Sequence, residues 1–218
     1  MMAIQKYGPF GPFSGKLGNV IGYIDQKGQQ RLRTVGEHKF MNPSVRLRET
    51  WLKTSLTTAF LKPVTEFIRM GFAAQAKSEG MSAYNLAASV TRKAITGTYP
   101  DLQIDFSKVL FSSGMMPVAR EPETIAVDGG LMFSWDHTRL ENGTRAGDQV
   151  MLMAYFPGSS KAVFLRSGAK RSQGYEFLSL PVLAEQEPVE TYISFISEDH
   201  SSISNSIYTR QILWGSVK

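Results

Sequence analysis

The three histidines are the first side chains that could perform acid–base or metal chemistry, because the imidazole pKa lies near neutrality. They are far apart in the chain, as His38, His137 and His200. His200 follows Glu198 and Asp199, but adjacent side chains point in different directions, and a metal site normally gathers ligands from several elements. We therefore predict no metal site and an exposed polar turn at residues 198–200.

Nucleophilic catalysis has no support in the sequence either. There is no cysteine, and no Gly-x-Ser-x-Gly elbow is present. Carboxylates cluster at Glu121 and Glu123, and again near Glu187, in proline-containing segments typical of solvated connections. The sequence leaves open a glycosidase-type pair formed by carboxylates that are distant in the chain. We predict no catalytic residues, no cofactor and no enzymatic activity.

Lys16 lies in a glycine-rich segment that invites comparison with a phosphate-binding loop. In such a loop, backbone amides and a lysine cradle the phosphate. The spacing does not match, because Gly11 and Gly15 are separated by three residues and Leu17 follows the lysine. The sequence favours glycines that serve turns and close packing.

Basic residues give the clearest indication of a partner. They surround a predicted hairpin and the start of a predicted helix, as Lys27, Arg31, Arg33, Arg46, Arg48 and Lys53. Arg31 and Arg33 share one face of a strand. Contacts from these residues to phosphates would support salt-dependent nucleic-acid binding. The alternative is that they flank an assembly surface and extend over apolar groups.

Charge is divided unevenly along the 218 residues. Residues 1–110 hold 15 Lys/Arg and 7 Asp/Glu, whereas residues 111–218 hold 9 and 12, so the halves carry +8 and −3 of the total +5. This asymmetry fits either an anionic partner or complementary faces within an assembly. No apolar leader or membrane-spanning run is visible, which predicts a cytoplasmic protein.

Residues 42–97 carry apolar side chains three or four apart, the spacing of a buried helix face. We predict a helix over 44–61 that kinks or restarts at Pro63 and runs to about Lys77. A second helix is predicted from a cap at Ser82 to Thr96, with Gly97 just beyond.

The remaining segments have the pattern of strands. Residues 20–24 and 30–35 predict a hairpin after a glycine-rich loop at residues 7–22. Seven further strands are predicted at 124–127, 131–135, 149–156, 162–165, 175–180, 191–197 and 207–214. Trp135 resembles the core tryptophan of fibronectin type III domains. This resemblance implies a β-sandwich fold and no chemistry.

Three sequence blocks resemble a family of uncharacterised Bacteroidota proteins known as a domain of unknown function. The blocks are Gly11–Gly22, with its Gly-Pro-Phe-Ser-Gly-Lys motif, Met81–Asn85, and Ala94–Pro100 followed by Ile104–Phe106. The resemblance covers nearly the whole chain and implies no activity. Family members often carry Trp-Lys-Gly in the first hairpin, where this chain has Gln26-Lys27-Gly28.

Together these patterns predict an α+β protein of two domains. Residues 1–116 would form a glycine-rich arm, a β-hairpin and a helical hairpin, and residues 117–218 a seven-stranded Ig- or fibronectin-III-like sandwich. We expect a non-catalytic binding or assembly protein, such as a component of a phage-like particle, with Phe10, Phe13 and Lys16 in an assembly arm. It would associate with itself or with a protein partner, and nucleic-acid binding through the basic residues is the alternative.

Overall fold

The computed structural model describes residues 4–5, 11–25, 28–36 and 42–215. The chain divides into two compact units, Met1–Pro43 and Ser44–Lys218. The domain boundary predicted between residues 116 and 117 therefore falls inside the second unit.

The first unit is an antiparallel sheet in the order β1-β2-β3-β4. Its strands are β1 (Ile4–Gln5), β2 (Phe13–Leu17), β3 (Val20–Ile24) and β4 (Gln30–Thr34). The predicted hairpin is confirmed as β3 and β4. Residues 13–17 were expected in a loop, but they pair with β3 through a tight turn at Gly18, whose φ of 58° suits glycine.

The second unit begins with four helices. They are α1 (Val45–Leu61), α2 (Thr65–Gly71), α3 (Ala73–Ser78) and α4 (Ala83–Lys93), with a 3-10 turn at Lys62–Val64. The predicted restart at Pro63 and the predicted cap at Ser82 are confirmed. No helix in the described part of the chain is long and apolar enough to span a membrane.

Helix α4 ends at Lys93, short of the predicted end at Thr96. The residues that follow form β5 (Ile95–Thr98), which pairs with β6 (Asp101–Ile104). The amide of Asp105 also donates to the carbonyl of Ala94 at 2.9 Å. The hairpin therefore takes up backbone groups that a longer helix would have used.

Seven strands in the described residues complete the second unit. They are β7 (Glu123–Val127), β8 (Gly130–Ser134), β9 (Gln149–Phe156), β10 (Lys161–Leu165), β11 (Tyr175–Ser179), β12 (Glu187–Ile196) and β13 (Ile207–Trp214). Each overlaps a predicted strand. They form one sheet in the order β10-β9-β12-β13 and another in the order β11-β8-β7, with antiparallel pairing throughout. The predicted combination of helices and antiparallel sheets is confirmed.

The four-stranded sheet of the second unit, β10-β9-β12-β13, has apolar contacts on both faces. One face shares a core with the three-stranded sheet through Leu152, Phe195 and Phe133. The other face shares a core with the helices, where the ring of Phe60 lies 4.8 Å from that of Tyr155. Because the helices bury their apolar residues against β9 and β12, they and the sheets belong to one unit.

Candidate functional site

The first unit places apolar side chains on one face of its sheet. Residues directly opposite each other in antiparallel strands share a face, and residues two apart in a strand do too. Leu17 is opposite Val20, Leu32 is opposite Gly22, and Ile24 lies two residues beyond Gly22. We call these five positions the apolar face. It contains no charged residue.

This apolar face is largely exposed. Leu17 is 63% exposed, Leu32 61% and Ile24 51%. Among the described residues of the first unit, only Gly22 is buried, and an ideal Cβ built on it would lie 2.6 Å from the ring of Phe13. The polar residues Gln30 and Thr34 lie opposite Ile24 and Val20 on the same face. An exposed apolar surface of this kind is a candidate interaction site.

The opposite face of the same sheet is basic. Ile21 is opposite both Lys16 and Arg33, and Tyr23 is opposite Arg31. We call these five positions the basic face. The cations therefore stand on both sides of a central Ile-x-Tyr pair on β3, and Tyr23 is 44% exposed.

The cations of the basic face differ in their partners. The Nε of Arg31 donates to Oδ2 of Asp25 at 3.0 Å, and its Nη2 donates to the side chain of Gln29. No carboxylate within the described residues pairs with Lys16 or Arg33. Arg31 is therefore held by Asp25 and Gln29, whereas Lys16 and Arg33 have no such carboxylate partner among the described residues.

The remaining predicted binding residues are on a different element. Arg46, Arg48 and Lys53 lie on α1 in the second unit, where Nζ of Lys53 is 2.6 Å from Oε1 of Glu49. Lys27 and Phe10 lie outside the described residues. Of the predicted basic set, the structure thus places Arg31 and Arg33 on one surface and adds Lys16.

The predicted assembly arm is divided by the pleat of β2. Phe13 lies over Gly22 on the apolar side, whereas Lys16 is on the basic face. These two residues therefore cannot belong to a single contact surface of the sheet.

The two histidines that the structure describes lie in separate places, one in a packed position and one in a turn. The ring of His137 lies against Gly174, and His200 occupies a turn with φ of 57°. In that turn Asp199 accepts hydrogen bonds from the Ser197 and Ser201 side chains, which lower the pKa of its carboxyl group. The described residues contain no group of three potential metal ligands, and His38 lies outside them.

A groove of about 620 Å³ in the second unit is lined by α3, residues 113–115 and residues 201–205. Its lining carboxylate, Glu79, accepts a hydrogen bond from Gln75 at 2.7 Å. No second carboxylate and no histidine line this groove among the described residues. It does not assemble an acid–base pair.

Sequence reasoning missed three buried charged residues, Asp148, Arg171 and Glu190. Arg171 forms an ion pair with Asp148 at 3.5 Å, and Glu190 accepts hydrogen bonds from Tyr208 and Gln211. The partners are 18 to 23 residues apart, and no local pattern marks either pair as buried. Both pairs lie inside the second unit and serve its packing.

No curated protein matches the chain, and no solved structure matches it either. A family model for a family of unknown function, DUF6266, matches residues 12–210. This match covers both units of the chain and all of the surfaces described above. The chain therefore belongs to DUF6266, a family of unknown function.

Proposed function

We propose that the chain is a non-catalytic assembly protein whose N-terminal sheet packs, through its apolar face, against another protein subunit. The single observation that carries this proposal is the exposure of Leu17, Ile24 and Leu32 on a face without charge. Burying one such side chain contributes roughly 1.5–3 kcal/mol. Burial of the exposed parts of these three side chains would favour association, and no charge on this face would have to be desolvated.

In this proposal, the second unit is the folded domain that the contact attaches to the other subunit. Within the same proposal, residues 117–218 form a fibronectin-III-like sandwich. The orders β11-β8-β7 and β10-β9-β12-β13, with Trp135 after β8, support that likeness. Sandwiches of this type act as spacers and recognition modules, as a component of a phage-like or other multisubunit particle requires. A cytoplasmic location and a Bacteroidota origin belong to this proposal too.

The test places a photo-crosslinking amino acid at Leu32 in the full chain, expressed in the native cells. We expect a covalent adduct with a discrete protein, which mass spectrometry identifies as a second copy or another subunit. The same amino acid at Leu140, which is 51% exposed in the second unit, is the matched control and should give no such adduct.

A substitution provides an independent check. Leu32→Lys should abolish the adduct formed by a crosslinker at Leu17, whereas Val182→Lys should not. Both positions are exposed, so neither variant should change the melting temperature of the free chain by more than about 2 °C. An unchanged adduct in Leu32→Lys would contradict the proposal.

A further inference from the structure

The proposed packing through the apolar face does not use the charged and aromatic side chains of the basic face. We infer that this face binds single-stranded nucleic acid, with Tyr23 stacking on a base while Lys16 and Arg33 contact phosphates. The two faces point away from each other, so this binding goes beyond the proposed assembly function and does not compete with it.

The strand register gives the arrangement of the charges. Neighbouring strands are about 4.8 Å apart, and residues two apart along a strand are separated by about 7 Å. Lys16 and Arg33, on either side of Ile21, are therefore about 10 Å apart at the backbone. Tyr23 lies one row further along the same face. The ring and the cations thus fall within reach of one short stretch of a polynucleotide.

The charge of the first unit favours a polyanion. Residues 1–43 contain six Lys/Arg and two Asp/Glu, a net charge of +4. Nucleic acid is attracted to such a surface through its phosphates, with release of counterions. The charge alone would also suit an acidic protein.

The exposed side chain of Tyr23 favours single-stranded nucleic acid over an acidic protein as the partner. Stacking of a base on an aromatic side chain contributes about 1–3 kcal/mol, and it requires a base that is not already stacked in a duplex. Arg31 is opposite Tyr23 in the strand register, and a guanidinium close to the stacked ring would add to this interaction. An acidic peptide would use the cations and leave the ring without a role.

The experiment measures binding of a fluorescent 12-nucleotide oligothymidylate and a matching oligouridylate to the full chain, at several salt concentrations between 50 and 200 mM. With two phosphate contacts, the slope of log K against log salt should be about −1.4. Lys16→Ala or Arg33→Ala should each bring the slope about 0.7 closer to zero. Arg139→Ala, at an exposed position of the second unit outside the predicted basic set, is the matched control and should leave both affinity and slope unchanged.

Tyr23 supplies a readout that charge alone would not move. Tyr23→Ala should weaken binding about 5- to 150-fold at an unchanged salt slope, and Tyr23→Phe should restore it. Circular dichroism of the four variants in the N-terminal sheet checks that the sheet still forms. Absence of binding at 50 mM salt would overturn the inference, as would equal competition by a duplex or by polyglutamate. None of these results would alter the crosslinking test of the apolar face.

Discussion

The guanidinium carbon of Arg171 lies 3.7 Å from the centre of the Phe195 ring. The same side chain pairs with Asp148 and donates to the carbonyl of Pro117 at 3.0 Å. Its own carbonyl accepts a hydrogen bond from the Trp135 indole at 2.8 Å. Arg171 thus joins Pro117, the residue that follows β8, strand β12 and a buried carboxylate.

Arg171→Ala should destabilise the protein by about 3–5 kcal/mol, because it leaves the Asp148 carboxylate buried without its cation. Burial lowers the pKa of Arg171. The negative charge of Asp148 opposes this shift and so favours the charged guanidinium. Chemical denaturation measures the loss. The control is Arg166→Ala, whose ion pair with Glu66 is exposed and should contribute under about 1 kcal/mol. Equal effects of the two variants would contradict the assigned role of Arg171.

The stability of the second unit should fall as pH rises from 10 to 12. Burial, helped by a hydrogen bond to Glu190, raises the pKa of Tyr208 to about 12, above the value of 10 in the unfolded chain. In this window the folded state binds more protons than the unfolded state, so raising the pH favours unfolding. The Tyr208 contribution is fully present below pH 10.

Denaturation midpoints of the wild type and Tyr208→Phe, compared from pH 8 to 11.5, measure this effect. The difference between them should shrink or reverse above pH 10, because the variant cannot ionise at this position. Tyr175→Phe, at a side chain that is 54% exposed, should follow the wild-type profile. A constant difference between wild type and Tyr208→Phe across the range would show that Tyr208 does not titrate with unfolding.

Gly71→Ala should destabilise the second unit by about 1–3 kcal/mol or more, because the site has no room for a methyl group. A Cβ at this position would collide with the carbonyl oxygen of Phe111 and lie 3.1 Å from Cα of Ser112. The carbonyl of Gly71 also accepts a hydrogen bond from Ser113 at 2.9 Å, so the two segments cannot simply move apart. Gly36→Ala is the control, since no atom lies within 4 Å of its added Cβ. Thermal unfolding compares them, and similar melting temperatures would argue against this close contact.

The two serine caps should differ in their contribution to global stability. Ser82 caps α4 by accepting from the Asn85 amide at 3.2 Å, and this short helix buries Leu86 and Ala87. Ser82→Ala should therefore cost about 1 kcal/mol of unfolding free energy.

Ser44 caps α1 in the same way, but the buried residues of α1 begin at Thr57. Ser44→Ala should leave the unfolding free energy within roughly 0.5 kcal/mol of the wild type and speed amide exchange in the first turns of α1. A global loss as large as that of Ser82→Ala would show that these turns are coupled to the core.

Local signals explain the elements that the sequence predicted well. Apolar spacing together with Ser44 and Pro63 defined α1 and its end, and short runs rich in apolar residues defined β9 and β13 at the observed residues. The last turn predicted for α4 was wrong, because Ile95–Thr98 pairs as a strand with the next strand, Asp101–Ile104. That pairing depends on contacts that helical periodicity does not report.

The candidate surface was predictable only in part, for a similar reason. Alternation along β4 was enough to put Arg31 and Arg33 on one face. The addition of Lys16 requires the pairing of β2 with β3, and the glycines and prolines near β2 had suggested a loop. Nearness in sequence grouped Arg46 with these residues, yet it begins a helix in the other unit.

The core shared by the helices and the four-stranded sheet sets the order in which the chain can fold during synthesis. Helix α4 ends at Lys93, but β12, which carries Tyr192 and Ile196 of that core, is complete only at Ile196. At ribosomal rates of about 5–20 residues per second, the gap of about 100 residues takes roughly 5–20 s. For that time Phe60, Phe67 and their neighbours leave the ribosome without the surface that buries them. The nascent chain therefore presents a binding site for chaperones that the finished protein conceals.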